Sequence, residues 1–341
     1  SKGGLIEKIF KNGVAAGIKR NGDGFRKPGA LVQAETFLPY LLAEKLIFKK
    51  LRQVFGPNIE FFVGGGALLD IKQQQFYKAI GIPVYQGSGL TEATPIISTN
   101  TPFDHKMGTS GRVLDGIDCR ICDDAGKELP RGEKGEIVIQ GDNVMLGYYK
   151  NPEATAETLK DGWLHTGYLG YFDEDGFLVV VCREKALLIS EDGEKYSPEE
   201  IEEAMITSSD LILQAMIYND HKKYTTALLT LNKPLIKKRL AEGAWGSPGE
   251  LVQELKKEML LFTKQPEFLD KFPTKWIPSN FQIVEEEFSE ENQMINSTLK
   301  MVRHRITETY KDKLELMYGS EAQQKSKASN LAALESLFEY E

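Results

Sequence analysis

The sequence has few cysteines, few histidines and no long apolar segment. Among its 341 residues are three cysteines and four histidines, a content that excludes a disulfide-rich secreted module. No apolar run reaches the roughly 18 residues that a membrane-spanning helix needs. We therefore expect a cytoplasmic protein without a transmembrane segment, for which peripheral contact with a membrane stays open.

An excess of basic residues is also missing. The net charge is −8, whereas a nucleic-acid-binding surface needs clustered lysine and arginine, so we expect no nucleic acid among the partners. Apolar residues make up 41% and charged residues 27% of the chain, which is typical of globular proteins. A chain of this length has room for about two or three domains.

Two of the cysteines, Cys119 and Cys122, have the C-x-x-C spacing of metal and redox sites. The residues around them predict a β-strand, on which side chains three positions apart face opposite sides. The two thiols would then not converge, and the sequence has no second pair to complete a zinc site. No histidine lies in an H-E-x-x-H motif, so we expect neither a metal at these cysteines nor zinc hydrolysis.

Residues 1–105 alternate between helical and strand patterns. Apolar side chains at helical spacing predict a helix over residues 31–55, and short apolar runs predict strands over residues 59–63 and 82–85, with a helix over 68–80 between them. This order predicts a parallel α/β sheet. Both strands lead into glycine-rich segments, which we expect to form two loops at the ligand-binding edge of the sheet.

The pattern changes at about residue 106 and again after residue 183. Residues 106–183 contain short alternating segments between Asp- and Gly-rich turns, which predict a β-rich subdomain, either a distorted barrel or a sandwich. After residue 183, Ser-Pro-Glu-Glu at 197–200 predicts a helix with its serine as N-cap. Paired strands are then predicted over 211–218 and 224–231.

Helical segments complete the predicted C-terminal part. Residues 233–270 are expected to be helical and polar, and residues 298–317 to form an amphipathic helix. The stretch from about Gln323 is predicted as a peripheral helix with weakly determined packing. Residues 184–341 therefore predict a small α+β domain with a helical insertion.

Two glycine-rich segments follow the predicted strands. Gly-Gly-Gly at 64–66 allows a ligand to approach the backbone closely, although a turn required by packing explains it equally well. Gly-Ser-Gly-Leu-Thr-Glu at 87–92 places a hydroxyl and a carboxylate in one loop, and such oxygens suit Mg²⁺ bound with phosphate. Taken alone, Thr91 and Glu92 are more simply explained as helix-capping residues.

Three further segments carry aromatic or basic residues. Residues 161–167 form a turn-rich aromatic stretch. Residues 183–185 (Arg-Glu-Lys) lie where the β-rich sequence pattern ends and the α+β pattern begins, a boundary at which a hinge would be expected. Lys300 precedes the late helix and is a candidate point charge for a cleft. Each segment also has a simpler explanation. The tryptophan of 161–167 would lie in the core, 183–185 would be a solvated charge cluster, and Lys300 would be an exposed lysine.

Together and in this order, the five segments resemble the adenylate-forming superfamily, which includes acyl-CoA synthetases, the adenylation domains of peptide synthetases and luciferases. The resemblance extends from about residue 63 to residue 303. The Thr-Leu-Lys sequence at 298–300 is most similar to that of long-chain fatty acid–CoA ligases. The similar segments are residues 64–68, 85–92, 135–152, 162–167, 183–202 and 297–300.

The resemblance implies an α/β fold in which a truncated large domain precedes a mobile C-terminal α+β domain. The large domain would consist of an α/β subdomain (1–105) and a β-rich subdomain (106–183), and the mobile domain would span 184–341. The implied reaction activates a fatty acid with ATP and Mg²⁺ as an acyl-adenylate, from which coenzyme A then displaces AMP.

The resemblance also implies roles for individual residues. Lys300, Thr91 and Glu92 would be catalytic, and Glu92 would also hold Mg²⁺. Lys185 would be the hinge, and Gly193 would line the channel for coenzyme A. The residues implied in nucleotide binding are Gly65, Gly66, Gln86, Gly87, Ser88, Tyr168 and Arg183.

The sequence departs from the family pattern at three of its positions. Tyr168 stands where the family has an aspartate that binds both ribose hydroxyls, Ser88 where an aromatic ring stacks on adenine, and Ile189 where related ligases often have lysine. Loss of these contacts would cost a few kcal/mol of nucleotide binding. The family's phosphate loop is expected upstream of residue 1, so the isolated chain is expected to be inactive.

Two alternatives to a fatty acid–CoA ligase stay open. The chain could be a homologue impaired in nucleotide binding that binds an acyl group or a partner without turnover. It could also be a ligase that loads the acyl group onto a carrier protein instead of coenzyme A.

Overall fold

The chain folds as two units, Ser1–Glu184 and Lys185–Glu341. The computed structural model describes residues 2–66, 69–266, 268–269, 271–297 and 299–338. None of the helices in these ranges combines the length and the apolar character needed to cross a bilayer.

Unit 1 begins with helices and continues with two β-sheets. Its helices are α1 (Lys2–Asn21), α2 (Ala30–Ala43), α3 (Lys49–Phe55), α4 (Ile71–Ala79) and α5 (Pro152–Thr158). Its strands are β1 (Phe62–Gly64), β2 (Val84–Gly89), β3 (Ile96–Thr99), β4 (Arg112–Val113), β5 (Ile117–Cys122), β6 (Gly135–Gly141), β7 (Leu159–Lys160), β8 (Trp163–Phe172) and β9 (Leu178–Arg183).

The helix predicted over residues 31–55 is present, and one π-helical turn at Glu44–Phe48 joins its two parts, α2 and α3. Helix α1, for which the sequence made no prediction, packs against α2 and α4. A Cβ atom on Gly17 would lie only 2.7 Å from the Cβ of Ala79. The glycine therefore allows α1 to approach α4 closely.

The first sheet has the strand order β1-β2-β3-β4. Strands β1 and β2 are parallel, with α4 between them in the chain, whereas β3 and β4 are antiparallel to their neighbours. Asp70 begins α4, since its carboxylate accepts a hydrogen bond of 2.8 Å from the amide of Lys72. The predicted α/β class is confirmed, and the sheet is mixed instead of wholly parallel.

The second predicted glycine loop is wrong. Residues 87–89 lie within β2 and pair with β3, with an irregularity between Ser88 and Gly89. A Cβ atom on Gly89 would overlap the carbonyl of Pro95, and one on Gly87 would lie 2.9 Å from the carbonyl of Ser98. These glycines therefore permit close approach of two strands, a requirement that the sequence does not distinguish from a flexible loop.

The strand-rich region after residue 106 contains an antiparallel sheet with the order β5-β6-β8-β7, in which β9 also pairs with β8. Side chains of Asp123 and Asp173 accept backbone hydrogen bonds in the predicted turns. Cys119 and Cys122 lie on β5, as the strand prediction required, and both are free thiols.

Unit 2 is an α+β unit with two three-stranded sheets, β12-β14-β15 and β11-β10-β13. Its strands are β10 (Leu188–Ser190), β11 (Lys195–Tyr196), β12 (Ile212–Tyr218), β13 (Asp220–Lys222), β14 (Thr226–Leu231) and β15 (Asn280–Ile283). Its helices are α6 (Glu199–Ser208), α7 (Lys233–Ala241), α8 (Pro248–Glu258), α9 (Arg303–Thr309), α10 (Lys311–Leu316) and α11 (Ala322–Phe338).

The predicted strand pair of unit 2 is confirmed, because β12 and β14 run antiparallel, from Ile212 opposite Leu231 to Tyr218 opposite Thr226. The predicted cap of α6 is wrong. The helix begins at Glu199, one residue after Pro198, and the buried hydroxyl of Ser197 has no hydrogen-bond partner among the described residues.

The amphipathic helix predicted over residues 298–317 is shorter than expected. It begins at Arg303 and is interrupted at Tyr310, which separates α9 from α10. Lys300 therefore lies in a non-helical segment before α9.

The prediction of a loosely packed C-terminal helix is also wrong. Leu334 of α11 is fully buried in the main core of unit 2. The side chain of Asn330, also buried, accepts a hydrogen bond of 2.7 Å from the amide of Ile283 and donates one of 3.0 Å to the carbonyl of Phe281. Helix α11 thus completes the hydrogen bonding of β15, and polar residues on its buried side conceal this from a hydrophobicity pattern.

We expect the substitution Leu334→Ala to destabilise unit 2 by about 2–5 kcal/mol, because it leaves a cavity beneath α11. Urea denaturation followed by circular dichroism measures this change. Ser336→Ala, on the exposed side of the same helix, is the control. A loss no larger than that of the control would contradict the packing of α11 into the core.

Candidate active site

The first glycine-rich segment follows β1 and lies beside Gln86. Gly64 is in register with Gln86 of the neighbouring parallel strand, and the buried Gln86 side chain accepts a 3.3 Å hydrogen bond from the amide of Leu69. Ala67 and Leu68, part of this motif, are outside the described residues. The segment borders an open pocket of about 450 Å³, lined by Phe55, Phe62, Gly64, Gly65, Leu69, Tyr77, Val84 and Gln86.

Thr91 and Glu92 lie in a short 3-10 turn, Thr91–Ala93, after β2. Backbone and side-chain hydrogen bonds join this turn to the segment after β6. The amide of Met145 donates to the carbonyl of Glu92 (2.8 Å), and Asn143 Nδ2 donates to the carbonyl of Ala93 (2.8 Å). The turn is thus held by tertiary contacts, and Thr91 remains exposed.

The carboxylate of Glu92 contacts Tyr148, which the sequence motif included but to which no role was given. Tyr148 Oη donates a hydrogen bond of 2.8 Å to Glu92 Oε1. Burial, followed by the nearby carboxylate, raises the pKa of the Tyr148 hydroxyl, which therefore stays protonated as a donor at neutral pH. The hydrogen bond orients the Glu92 carboxylate. The only signal for this contact in the sequence was the position of Tyr148 directly after a glycine.

One carboxylate fits the usual way in which proteins hold Mg²⁺, since this ion is commonly bound by one or two carboxylates together with substrate phosphates. No group of three or more His, Cys, Asp or Glu side chains that could bind a metal occurs in the described ranges. The residues present therefore fit an ion that arrives with a nucleotide.

Glu136 joins two of the motif segments. Its Oε2 accepts a 2.7 Å hydrogen bond from Nδ1 of His165, and its Oε1 accepts one of 3.0 Å from the amide of Gly167. Thr166 Oγ1 donates to the carbonyl of Ile137 (2.6 Å) and accepts from the amide of Tyr168 (3.1 Å). These bonds fix the backbone that presents Tyr168.

Tyr168 and Arg183 are cross-strand neighbours on β8 and β9. Arg183 Nε donates a 2.6 Å hydrogen bond to Tyr168 Oη, and the guanidinium lies 4.9 Å from the centre of the Tyr168 ring. Arg183 is exposed and forms no ion pair with any residue in the described ranges. The pair therefore carries a net positive charge.

Leu90, beside the Thr91–Ala93 turn, and Tyr168 both pack against the same apolar cluster, which includes Ile97 and Leu164. The structure thus places the end of β2 and the start of the β8–β9 pair around one core. Within the part of the chain that is described, no hydrogen bond or ion pair joins Glu92 to Arg183.

Gly193 lies in the turn between β10 and β11, in unit 2. It has a φ of +82°, and its amide donates a hydrogen bond of 2.9 Å to the carbonyl of Ser190. Because φ is positive, a side chain at this position would strain the backbone. The glycine therefore fits a tight turn, and the role implied for it remains a prediction.

Lys300 lies in a second tight hairpin of unit 2. Its carbonyl accepts a 2.9 Å hydrogen bond from the amide of Asn296, and its own amide donates to Asn296 Oδ1 at 2.9 Å. Leu299 has a φ of +58° and is 79% exposed, an unusual conformation for a branched side chain. Thr298 is outside the described residues. Lys300 itself is half-buried.

A buried ion pair anchors the chain three residues after Lys300. Arg303 contacts the carboxylate of Glu202 and donates a 3.2 Å hydrogen bond to the carbonyl of Ile217, whose amide donates to Glu202 Oε1 at 2.7 Å. Burial raises the pKa of Glu202, and Arg303 opposes that rise. Glu202 ends one of the sequence segments and Arg303 follows another by three residues, but no local pattern predicted their contact.

Lys185 lies in a 3-10 turn, Glu184–Ala186, at the boundary between the two units. Its side chain is outside what the structure describes, and its role as a hinge remains a prediction.

A model of the family described as AMP-binding enzyme matches residues 26–149. The long-chain-fatty-acid–CoA ligase FadD15 of Mycobacterium bovis is 30% identical over 299 residues, covering 86% of this chain and 47% of that protein. The chain belongs to the adenylate-forming superfamily. It spans about half the length of the curated relatives that it matches.

Members of the superfamily are also similar in structure. The chain resembles O-succinylbenzoate coenzyme A synthetase of Bacillus subtilis in complex with ATP and magnesium, with a TM-score of 0.55, 26% identity, and coverage of 74% of this chain and 49% of that one. Among curated relatives, a long-chain-fatty-acid–[acyl-carrier-protein] ligase of Arabidopsis thaliana is 30% identical, covering 82% of this chain and 38% of that protein.

We expect Glu202→Gln to destabilise unit 2 by about 3 kcal/mol, because it leaves the charge of Arg303 without a buried partner. Chemical denaturation measures this loss. Glu200→Gln, which removes an exposed ion pair with Lys271, should cost no more than about 1 kcal/mol. Equal effects of the two substitutions would contradict an anchoring role for Glu202.

Proposed function

We propose that this chain is part of a long-chain fatty acid–CoA ligase that activates a fatty acid with ATP as an acyl-adenylate and transfers the acyl group to coenzyme A. The observation that carries the proposal is the presence of all six superfamily segments on one chain, with Tyr168 and Arg183 side by side and Glu92 oriented by Tyr148. Relatives named as fatty acid–CoA ligases support the substrate class.

In unit 1, we propose that Arg183 and Tyr168 hold the ribose and that Gly65, Gly66, Gln86, Gly87 and Ser88 contact the nucleotide. Glu92 would hold Mg²⁺, which supplies positive charge at the phosphate oxygens, and Thr91 would donate a hydrogen bond to phosphate. The exposure of Thr91 and the fixed position of the Glu92 carboxylate support these roles.

In unit 2, Lys300 would neutralise the negative charge that builds up where a carboxylate attacks a phosphate. Its ammonium forms neither a hydrogen bond nor an ion pair with any residue in the described ranges, so it is available for a ligand. The hairpin around it is tightly hydrogen-bonded, so the backbone that carries the charge is pre-organised.

A carrier protein is a second candidate acceptor for the acyl group. The observation that favours it is the relative in Arabidopsis thaliana that is named as an acyl-carrier-protein ligase. A coenzyme A acceptor is supported by the similarity to FadD15, which is named as a fatty acid–CoA ligase.

Two measurements on the whole protein, which is expected to include the phosphate loop upstream of residue 1, test the proposal. Isothermal titration with a non-hydrolysable acyl-adenylate mimic should show saturable binding, and supplied acyl-adenylate with coenzyme A should give the acyl-CoA thioester. Thioester formation on a carrier protein but not on coenzyme A would favour the second candidate. Absence of any binding of the mimic would support a homologue that has lost nucleotide binding.

We expect Tyr168→Asp to tighten the binding of AMP by about tenfold or more, because a carboxylate accepts hydrogen bonds from both ribose hydroxyls and such charge-assisted bonds contribute about 1.5–3 kcal/mol. Isothermal titration measures the dissociation constant. Tyr168→Phe, which removes only the hydroxyl, is the control and should not tighten binding. Unchanged or weaker binding by the aspartate variant would place the ribose elsewhere.

A further inference from the structure

The turn that carries Gly193 is tied to the segment before β15. Lys275 Nζ lies 2.7 Å from Asp192 Oδ2 and also contacts Glu194 Oε2. Asp192 and Glu194 are the residues on either side of Gly193, so one ammonium bridges the two flanks of the turn.

The charge pattern explains why a cation is suited to this place. Asp192 and Glu194 would repel each other across a tight turn, and Lys275 offsets that repulsion. Hydrogen bonds from Lys275 and Ser190, and the amide of Glu194, hold the pKa of Asp192 well below its usual range. The Asp192 carboxylate therefore stays ionised at neutral pH, and its ion pair with Lys275 stays closed.

The backbone around Lys275 is fixed by neighbouring contacts. The ring of Trp276 stacks on that of Tyr196, with centres 5.0 Å apart and an angle of 7° between the planes. The hydroxyl of Thr225 donates a 3.0 Å hydrogen bond to the carbonyl of Lys275 and lies 2.5 Å from the hydroxyl of Tyr196. Tyr196 belongs to β11. The Lys275–Trp276 segment therefore contacts both the Gly193 turn and the strand that follows it.

A single exposed ion pair contributes little to stability, and all three charged side chains are partly exposed. The Lys275 bridge restrains the conformation of a turn of a few residues, and it contributes little to the stability of unit 2 as a whole. Loss of the bridge should therefore change the motion of the turn without unfolding unit 2.

We propose that Lys275 is a positioning residue that holds the Gly193 turn in the conformation used for the thiol step. This inference rests on the proposed function and on the role that the sequence resemblance implies for Gly193, which is to line the approach of coenzyme A. Lys275 acts through Asp192 and Glu194 and is not proposed to contact the substrate. Its removal should weaken the use of coenzyme A without affecting the maximal rate to the same extent.

The first arm of the test measures the turn itself and does not depend on activity. Amide hydrogen exchange of the chain should be about three- to tenfold faster at Gly193 and Glu194 in Lys275→Met than in the unsubstituted chain. Lys275→Arg should restore slow exchange. Lys271→Met removes a similarly exposed ion pair, with Glu200, and is the matched control. Unchanged exchange in Lys275→Met would overturn the proposal.

The second arm measures thioester formation from supplied acyl-adenylate. Lys275→Met should raise the KM for coenzyme A by about fivefold, with a smaller change in kcat, while Lys271→Met should change neither. Faster exchange with an unchanged KM would overturn the role in the thiol step. Absence of thioester formation by the unsubstituted protein would contradict the proposed function instead, and the exchange arm would still decide whether Lys275 holds the turn.

Discussion

The buried ion pair between Glu202 and Arg303 is the constraint on which the candidate catalytic hairpin depends. Removing two charges from water is costly, and the pair persists because each group also bonds to the backbone of Ile217. The start of α9 is thereby fixed to α6 and β12. Lys300 lies three residues earlier in the chain, so the hairpin that carries it is anchored to α6 and β12.

In unit 1, the corresponding constraint is the strand pair that places Tyr168 opposite Arg183. A carboxylate at the position of Tyr168 would form an ion pair with the guanidinium, whereas the phenol leaves the charge of Arg183 uncompensated. The site is therefore more positive than the family pattern implies, and it offers one neutral oxygen where two charged ones are usual. Nucleotide binding at this strand pair is therefore the property that distinguishes the proposed ligase from the impaired homologue.

The sequence predicted the features that depend on local patterns. The β12–β14 pair, the long helix over α2 and α3, and the glycine segment after β1 follow from periodicity and turn residues. It did not predict features set by distant contacts. Gly87 and Gly89 lie in a strand that closely approaches a neighbouring backbone, and Asn330 is buried because it completes the hydrogen bonding of β15. For the same reason, the sequence motif predicted Glu92 as a site residue but not its hydrogen bond with Tyr148, which only the folded structure shows.

The central claim is that the ammonium of Lys300 acts in the formation of the acyl-adenylate and not in the later step. The most direct measurement compares Lys300→Ala with the unsubstituted whole protein in two assays, ATP–pyrophosphate exchange and thioester formation from supplied acyl-adenylate. The account predicts that exchange is lost and that thioester formation is largely kept. Equal loss in both assays would contradict it.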